Sequence, residues 1–291
     1  MTLPFQVPDP PLIAAGACGG PFVVYLVTPM RNALTLGATN SAASALGLYL
    51  NVFRDGVRGG FAGGAPMAKA AVPGFLVLGP AFHVYKDLVG GSSVGAVLLT
   101  AVSESAIFFG SEVNNAQATF NQNAKSSSSA NGIAKVHAPM GNPFFGGGVG
   151  LGLHITRNIL AMSGLRVFGG PCKDMINKIA PNALSETSSQ IGGDFIANVV
   201  VSAVSAPLHQ LFGWAVTTRV ANDNTTESFR KGAIQFLKRQ YLNEAGRISS
   251  VAGRDMFLRV AYNATIFTLY GFIERGLVQN WPDALLLWGS H

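Results

Sequence analysis

Residues 191–216 read IGGDFIANVVVSAVSAPLHQLFGWAV. This block exceeds the roughly 20 apolar residues that carry a helix across a bilayer. Its ionisable side chains are Asp194 near one end and His209 near the other, with Pro207 beside the histidine. It is an unbroken apolar run of spanning length, where a water-facing helix would show one narrow apolar stripe.

Working outward, comparable blocks lie at 12–36, 60–85, 94–113, 149–170 and 257–273. Together with 191–216 they predict an all-α protein of six transmembrane helices. Composition agrees, since 12% of the 291 residues are charged and 48% are apolar, against about a quarter charged in soluble domains. Several blocks are rich in small residues at close-packing spacing, as at Gly16 and Gly20, Gly60 and Gly64, and Gly148 and Gly152, which suits helices buried against other helices. The net charge of +6 has no cluster of bases with interleaved aromatics, so no nucleic-acid partner is expected. Residues 1–11 lack a basic region, an apolar core and a cleavage site, so any targeting information is expected to be internal.

The connections alternate. Long polar stretches at 37–59, 114–148 and 217–256 follow the odd spans, and short links follow the second and fourth. The long stretches and their flanks carry Arg31, Arg54, Arg58, Lys125, Lys135, Arg219, Arg230, Lys231, Lys238, Arg239, Arg247 and Arg254, whereas the opposite side has Lys86, Lys173, Lys178 and Arg275. The positive-inside rule then directs the long loops inward and both termini outward. Residues 125–132, with Ser126 to Ser129, read as a flexible loop. The basic amphipathic piece at 229–241 reads either as a membrane-surface helix or as a loop helix packed on the bundle.

Spacing also suggests a triplicated pair of spans. Pro29 ends the first block, Gly110 lies near the end of the third, and Pro207 lies within the fifth. Each copy has a basic connection followed by a second span ending near aromatics: Phe82 and Tyr85, Phe168, and Tyr270 and Phe272. The repeats fall at 12–90, 91–180 and 181–276, with a tail at 277–291.

This arrangement, over about residues 12–276, resembles the mitochondrial carrier family. The resemblance implies a pseudo-threefold bundle in the mitochondrial inner membrane, with both termini toward the intermembrane space. In that family each odd span ends in Pro-x-acid-x-x-base. Here the copies read Pro29-Met-Arg31-Asn-Ala-Leu34, Gly110-Ser-Glu112-Val-Asn-Asn115 and Pro207-Leu-His209-Gln-Leu-Phe212, and none keeps a complete charged pair. The opposite gate, aromatic-acid-x-x-base, is degraded to Phe82-His83-Val-Tyr-Lys86 and Tyr270-Gly271-Phe-Ile-Glu274, with Pro171-Cys172 as the nearest second match. Neither ring is expected to close in the family's way.

Ionisable residues inside spans are costly and mark function. Lys69, Arg157, Arg166 and Arg259 lie on the even spans, which in the family line the substrate cavity. They are candidate ligands for an anionic solute or a lipid headgroup; the competing reading has them snorkelling to headgroups. Glu104 and Asp194 are possible partners for these bases. Cys18 and Cys172 are isolated, and His83, His137, His154, His209 and His291 show no metal spacing. The glycine run at 146–152 lacks the strand and Lys-Ser or Lys-Thr of a phosphate loop. No enzyme, metal or cofactor is indicated beyond bound cardiolipin or another phospholipid. Decay at both gates favours a structural subunit of an inner-membrane assembly, a respiratory complex or ATP synthase, with membrane lipids and other subunits as partners. The alternative is an active carrier exchanging an anionic metabolite or nucleotide.

Overall fold

The computed structural model describes residues 9–39, 44–54, 56–127, 150–181, 183–217 and 226–281. Among them it is helical, without a strand and with one isolated bridge between Leu242 and Ile248. Helix α1 runs from Pro10–Ala14 through a π turn at Ala15–Gly19 into Gly20–Leu26, and α2 covers Thr28–Thr39. Short helices α3 (Ala45–Val52) and α4 (Gly56–Gly60) lead to α5, which passes from Gly64–Leu76 through a π turn at Val77–Ala81 to Phe82–Leu88. Helix α6 spans Ser93–Ser127. Helix α7 joins Leu151–Ser163 to Gly169–Ile179 by a third π turn, Gly164–Phe168. Helices α8 (Glu186–Thr217), α9 (Thr226–Tyr241) and α10 (Ser250–Asn280) complete the described chain.

Four stretches are long and apolar enough to cross a membrane: Gly56–Leu88, Ser93–Gly110, Glu186–Val216 and Ser250–Asn280. A fifth forms if α1 and the start of α2, bent by 57°, count as one broken span. The bend sits at Val27, whose φ of −91° and ψ of 6° leave the helical region. Proline has no N–H and crowds the preceding turn, so the break lets Pro29 occupy the first turn of a new helix, where proline is tolerated. Pro207, by contrast, lies inside the unbroken α8. The two prolines therefore do not make equal kinks. The expected span at 149–170 is the helix at 151–179, whose Arg157, Arg166, Lys173, Asp174 and Lys178 keep it outside that apolar set. This is an all-helical membrane protein.

The connections carry helices, among them the one expected at 229–241. Helix α2 continues to Thr39, α3 occupies part of 37–59 with Ser44 Oγ accepting from Gly47 N at 3.1 Å, and α9 fills much of the last connection. The last helix starts at Ser250, earlier than position 257, because Ser249 Oγ caps it by accepting from Ala252 N at 3.3 Å. Residues 125–127 belong to α6, not to a loop; 128–149 and Asn224, with the rest of that serine run, Lys135, His137, Gly148 and much of the glycine run, lie outside the described residues, as do Arg219 and the tail at 282–291.

Helix α9 packs on the bundle through buried Ala233 and Tyr241 and through Phe236, stacked on Trp214 of α8 at 5.5 Å. Its Arg230, Lys231, Lys238 and Arg239 remain exposed. Burial pushes the Tyr241 phenol above its ordinary range, with the Asp255 carboxylate adding in the same direction. Beside it Arg254 Nη2 donates to Gly37 O and Asp255 Oδ1, both at 2.8 Å, and Gln240 Nε2 donates to Asp255 Oδ2 at 3.3 Å. These bonds tie α2, α9 and α10 together at one end.

The principal apolar core joins α1, α5, α6, α7 and α10 through Val23, Phe75, Leu78, Val97, Leu165, Ile266 and Tyr270. Outward, Phe22, Leu98, Val102, Val204 and Phe257 are exposed apolar side chains, as lipid-facing helices require. Small residues set the closest approaches. A Cβ on Gly16 would lie 2.9 Å from Phe75 O, and one on Gly193 would lie 2.6 Å from Lys173 N and 2.7 Å from Gly169 O. Gly152 meets nothing within 4 Å, so close packing does not explain it.

Backbone atoms cannot turn aside as a flexible side chain can. Gly193→Ala is therefore expected to destabilise the protein by about 1–3 kcal/mol through overpacking. Gly276→Ala, where nothing lies within 4 Å, should be neutral or gain up to about 1 kcal/mol of helix stability. Thermal unfolding of the two variants in detergent checks the opposite signs.

Candidate functional site

All the long helices contribute to one cavity of about 300 Å³. Its odd-span side begins with the positions two residues past Pro29, Gly110 and Pro207. Arg31 of α2, Glu112 of α6 and His209 of α8 all line it. Arg157 of α7 connects two of them, with Nη1 3.7 Å from Glu112 Oε2 and 3.3 Å from His209 Nδ1. The three degraded motif positions thus converge on one space.

On the opposite wall Arg259, Tyr262 and Asn263 of α10 face the same space, and Arg259 lies 5.9 Å from the Tyr262 ring. Arg157 and Arg259 are 5% and 4% exposed, which removes snorkelling as their explanation. The cavity therefore collects three guanidinium groups, from Arg31, Arg157 and Arg259, against two carboxyls, from Glu104 and Glu112. Arg259 Nε, Gln210 Nε2 and Asn263 Nδ2 are buried hydrogen-bond donors without a partner, and all three residues line the cavity. Unmade buried hydrogen bonds are expensive. A site with unused donors and an excess of guanidinium charge is built to receive acceptor oxygens.

Glu104 sits beside this wall. Asn158 Nδ2 donates to Glu104 Oε2, while Asn158 Oδ1 accepts from Arg157 Nε at 3.3 Å and Nη2 at 3.2 Å. Behind them the buried His154 shares a 2.9 Å hydrogen bond with Ser105 Oγ. Asn158 thus couples the arginine to the carboxyl while holding both in place.

Two predicted ligands fall elsewhere. Lys69 is exposed and does not line the cavity. Met67 and Ala71, two residues before and after it, line the cavity, so at about 100° per residue Lys69 is turned to the other side of its helix. Arg166 lies beyond the cavity in its own ion pair: Nη1 and Nη2 donate to Glu274 Oε1 and Oε2 at 2.6 and 2.7 Å, and Nη2 also donates to Leu78 O at 2.9 Å. Its guanidinium lies 4.8 Å over the Phe82 ring. One side chain therefore joins α5, α7 and α10.

That junction corrects the expectation of a lost charged gate at this end. The tie is real but uses Arg166, outside the motif, to meet Glu274. Tyr270 is fully buried, packed 4.9 Å from Phe75, and forms the floor between tie and cavity. His83 stacks edgewise on Phe82, and Lys86 is half-buried without an ion pair in the described set. Asp194 pairs with Arg275 at 2.6 Å, and Glu104 meets an amide instead of a base.

Sequence reasoning missed Asn158, Gln210, Asn263 and Tyr262. An available signal was their placement: Asn158 follows Arg157, Gln210 follows His209, and Tyr262 and Asn263 lie three and four residues past Arg259, on the same helix face. Among the described residues no cluster of His, Cys, Asp or Glu can hold a metal. No protein-family model matches the chain, and no curated protein matches it.

Removing one member of a buried pair leaves a charge without compensation. Arg166→Met alone is expected to cost about 3–5 kcal/mol, whereas Arg166→Met with Glu274→Gln should recover most of that. Melting temperatures of the single and double variants check the coupling.

Proposed function

We propose that this protein is a six-span, carrier-like membrane protein whose central cavity binds a small oxoanion for exchange across the mitochondrial inner membrane. The six spans are α1 with α2, α5, α6, α7, α8 and α10, and α3 and α9 are the surface helices that follow the first and last odd spans. Their reading as three repeats at 12–90, 91–180 and 181–276 is supported by the convergence of Arg31, Glu112 and His209. The basic connections support an orientation with both termini toward the intermembrane space.

The observation carrying the anion reading is the set of partnerless donors on Arg259, Gln210 and Asn263 in a cavity with three guanidinium groups. A volume of about 300 Å³ sits at the lower end of small-ligand sites, which favours phosphate or a short carboxylate over a nucleotide. What favours a second reading, a structural subunit, is the Arg166–Glu274–Leu78 tie, which fastens three helices together. On that reading the chain is a fixed subunit of a respiratory complex or ATP synthase, in contact with cardiolipin and neighbouring subunits.

Ligand that binds only the folded state stabilises it by mass action. Phosphate, sulfate or succinate at a hundredfold above Kd should raise the melting temperature of the purified protein by about 5 °C or more, and Arg259→Ala should abolish the shift. If no small anion shifts wild type, and the chain released by gentle detergent runs in a megadalton assembly instead of near 30.4 kDa plus detergent, the subunit reading replaces the carrier one.

A further inference from the structure

We infer that the cavity takes its anion together with a proton, and that Glu104 is the proton's seat; the inference rests on the oxoanion reading of the same site.

Glu104 lines the same cavity as the partnerless donors of Arg259, Gln210 and Asn263. No described cation lies within ion-pair distance of its carboxyl, and its close partner is the neutral Asn158. Asn158 is not free to turn away, because its other end is held by two nitrogens of Arg157. An anion on the donors must therefore share the cavity with Glu104. A carboxylate there repels it, since like charges at close range raise each other's energy. A neutral carboxyl removes the repulsion and adds an O–H donor that an oxoanion can use.

The other charged groups around Glu104 do not replace it. On its own helix Glu112 is 3.7 Å from Arg157 and so already has a counter-charge. From α7 come Arg157 and His154, from α8 His209, from α2 Arg31, and from α10 Arg259 with the Tyr262 phenol; the α5 lining residues bring no ionisable group. Among these His209 is the rival, because a protonated imidazole would also strengthen anion binding at low pH. It sits 3.3 Å from Arg157 Nη1, and a second positive charge there is disfavoured.

The linkage has a definite sign. If binding takes up a proton, affinity is highest at low pH and falls by up to about tenfold per pH unit as pH rises through the titration window. Sulfate is the suitable probe because its own charge is constant there. Calorimetric titration of sulfate into the full-length protein from about pH 5 to about pH 9, in buffers of different ionisation enthalpy, counts the protons directly. Wild type is expected to take up about one proton per sulfate within that range. Glu104→Gln, which keeps an oxygen for Asn158, should bind sulfate with no proton uptake and nearly constant affinity. His209→Asn should keep the uptake. Unchanged uptake in Glu104→Gln, its loss in His209→Asn, or a pH-independent wild type overturns the inference while leaving the anion site intact. Sulfate that fails to bind wild type at every pH overturns the site itself. If Glu104→Gln does not fold, the wild-type proton count together with His209→Asn decides.

Discussion

A guanidinium group inside a membrane has no water to turn to and no tolerable position facing lipid. Arg157, Arg166 and Arg259 all lie within helices of this bundle and all are directed inward. The interior is organised around their needs. Arg166 is held through both terminal nitrogens by Glu274 and a π-turn carbonyl, and so ties three helices together. Arg157 is satisfied in part by Asn158, His209 and Glu112. Arg259 keeps an unpartnered donor beside open space. Arg166 thus lies in an ion pair outside the cavity, while Arg157 and Arg259 line it.

The two ends use charge differently. At the sealed end, geometry is bidentate, an aromatic ring covers the guanidinium, and Tyr270 shields the pair from the cavity. Such a pair adds little net stability over an apolar replacement, yet it fixes which helices meet. In the cavity the charges are unequal in number and incompletely bonded. That state persists only because the surrounding helices, held by backbone approaches at Gly16 and Gly193, do not collapse to quench it.

Much of the fold was legible because hydrophobic block length is a strong signal. The blocks at 60–85, 191–216 and 257–273 each lie within a stretch of spanning length and apolarity, and that at 94–113 overlaps one ending at Gly110. The block at 149–170 is weaker for a physical reason: Arg157, which lines the cavity, and Arg166, which pairs with Glu274, lower its hydropathy. The break at Val27 follows from Pro29, but nothing local distinguishes Pro29 from Pro207, which α8 absorbs without breaking. The amphipathic pattern at 229–241 marked the helix of the last connection, whereas α3 within 37–59 has eight residues, far below spanning length.

The site was legible in its residue types and only partly in its geometry. Arg157 and Arg259 were found on the rule that buried charge is functional, and the motif positions Arg31, Glu112 and His209 on spacing. Lys69 and Arg166 obey the same rule and lie elsewhere, because Lys69 is on the face of α5 turned away from the cavity and Glu274 captures Arg166. Neither effect is visible before the helices are placed side by side. The most direct test of the central claim is a calorimetric titration of sulfate into wild type and into the double variant Arg157→Gln with Arg259→Gln. The account predicts saturable binding of about one anion per chain in wild type and none in the variant; equal binding by both, or by neither, would contradict it.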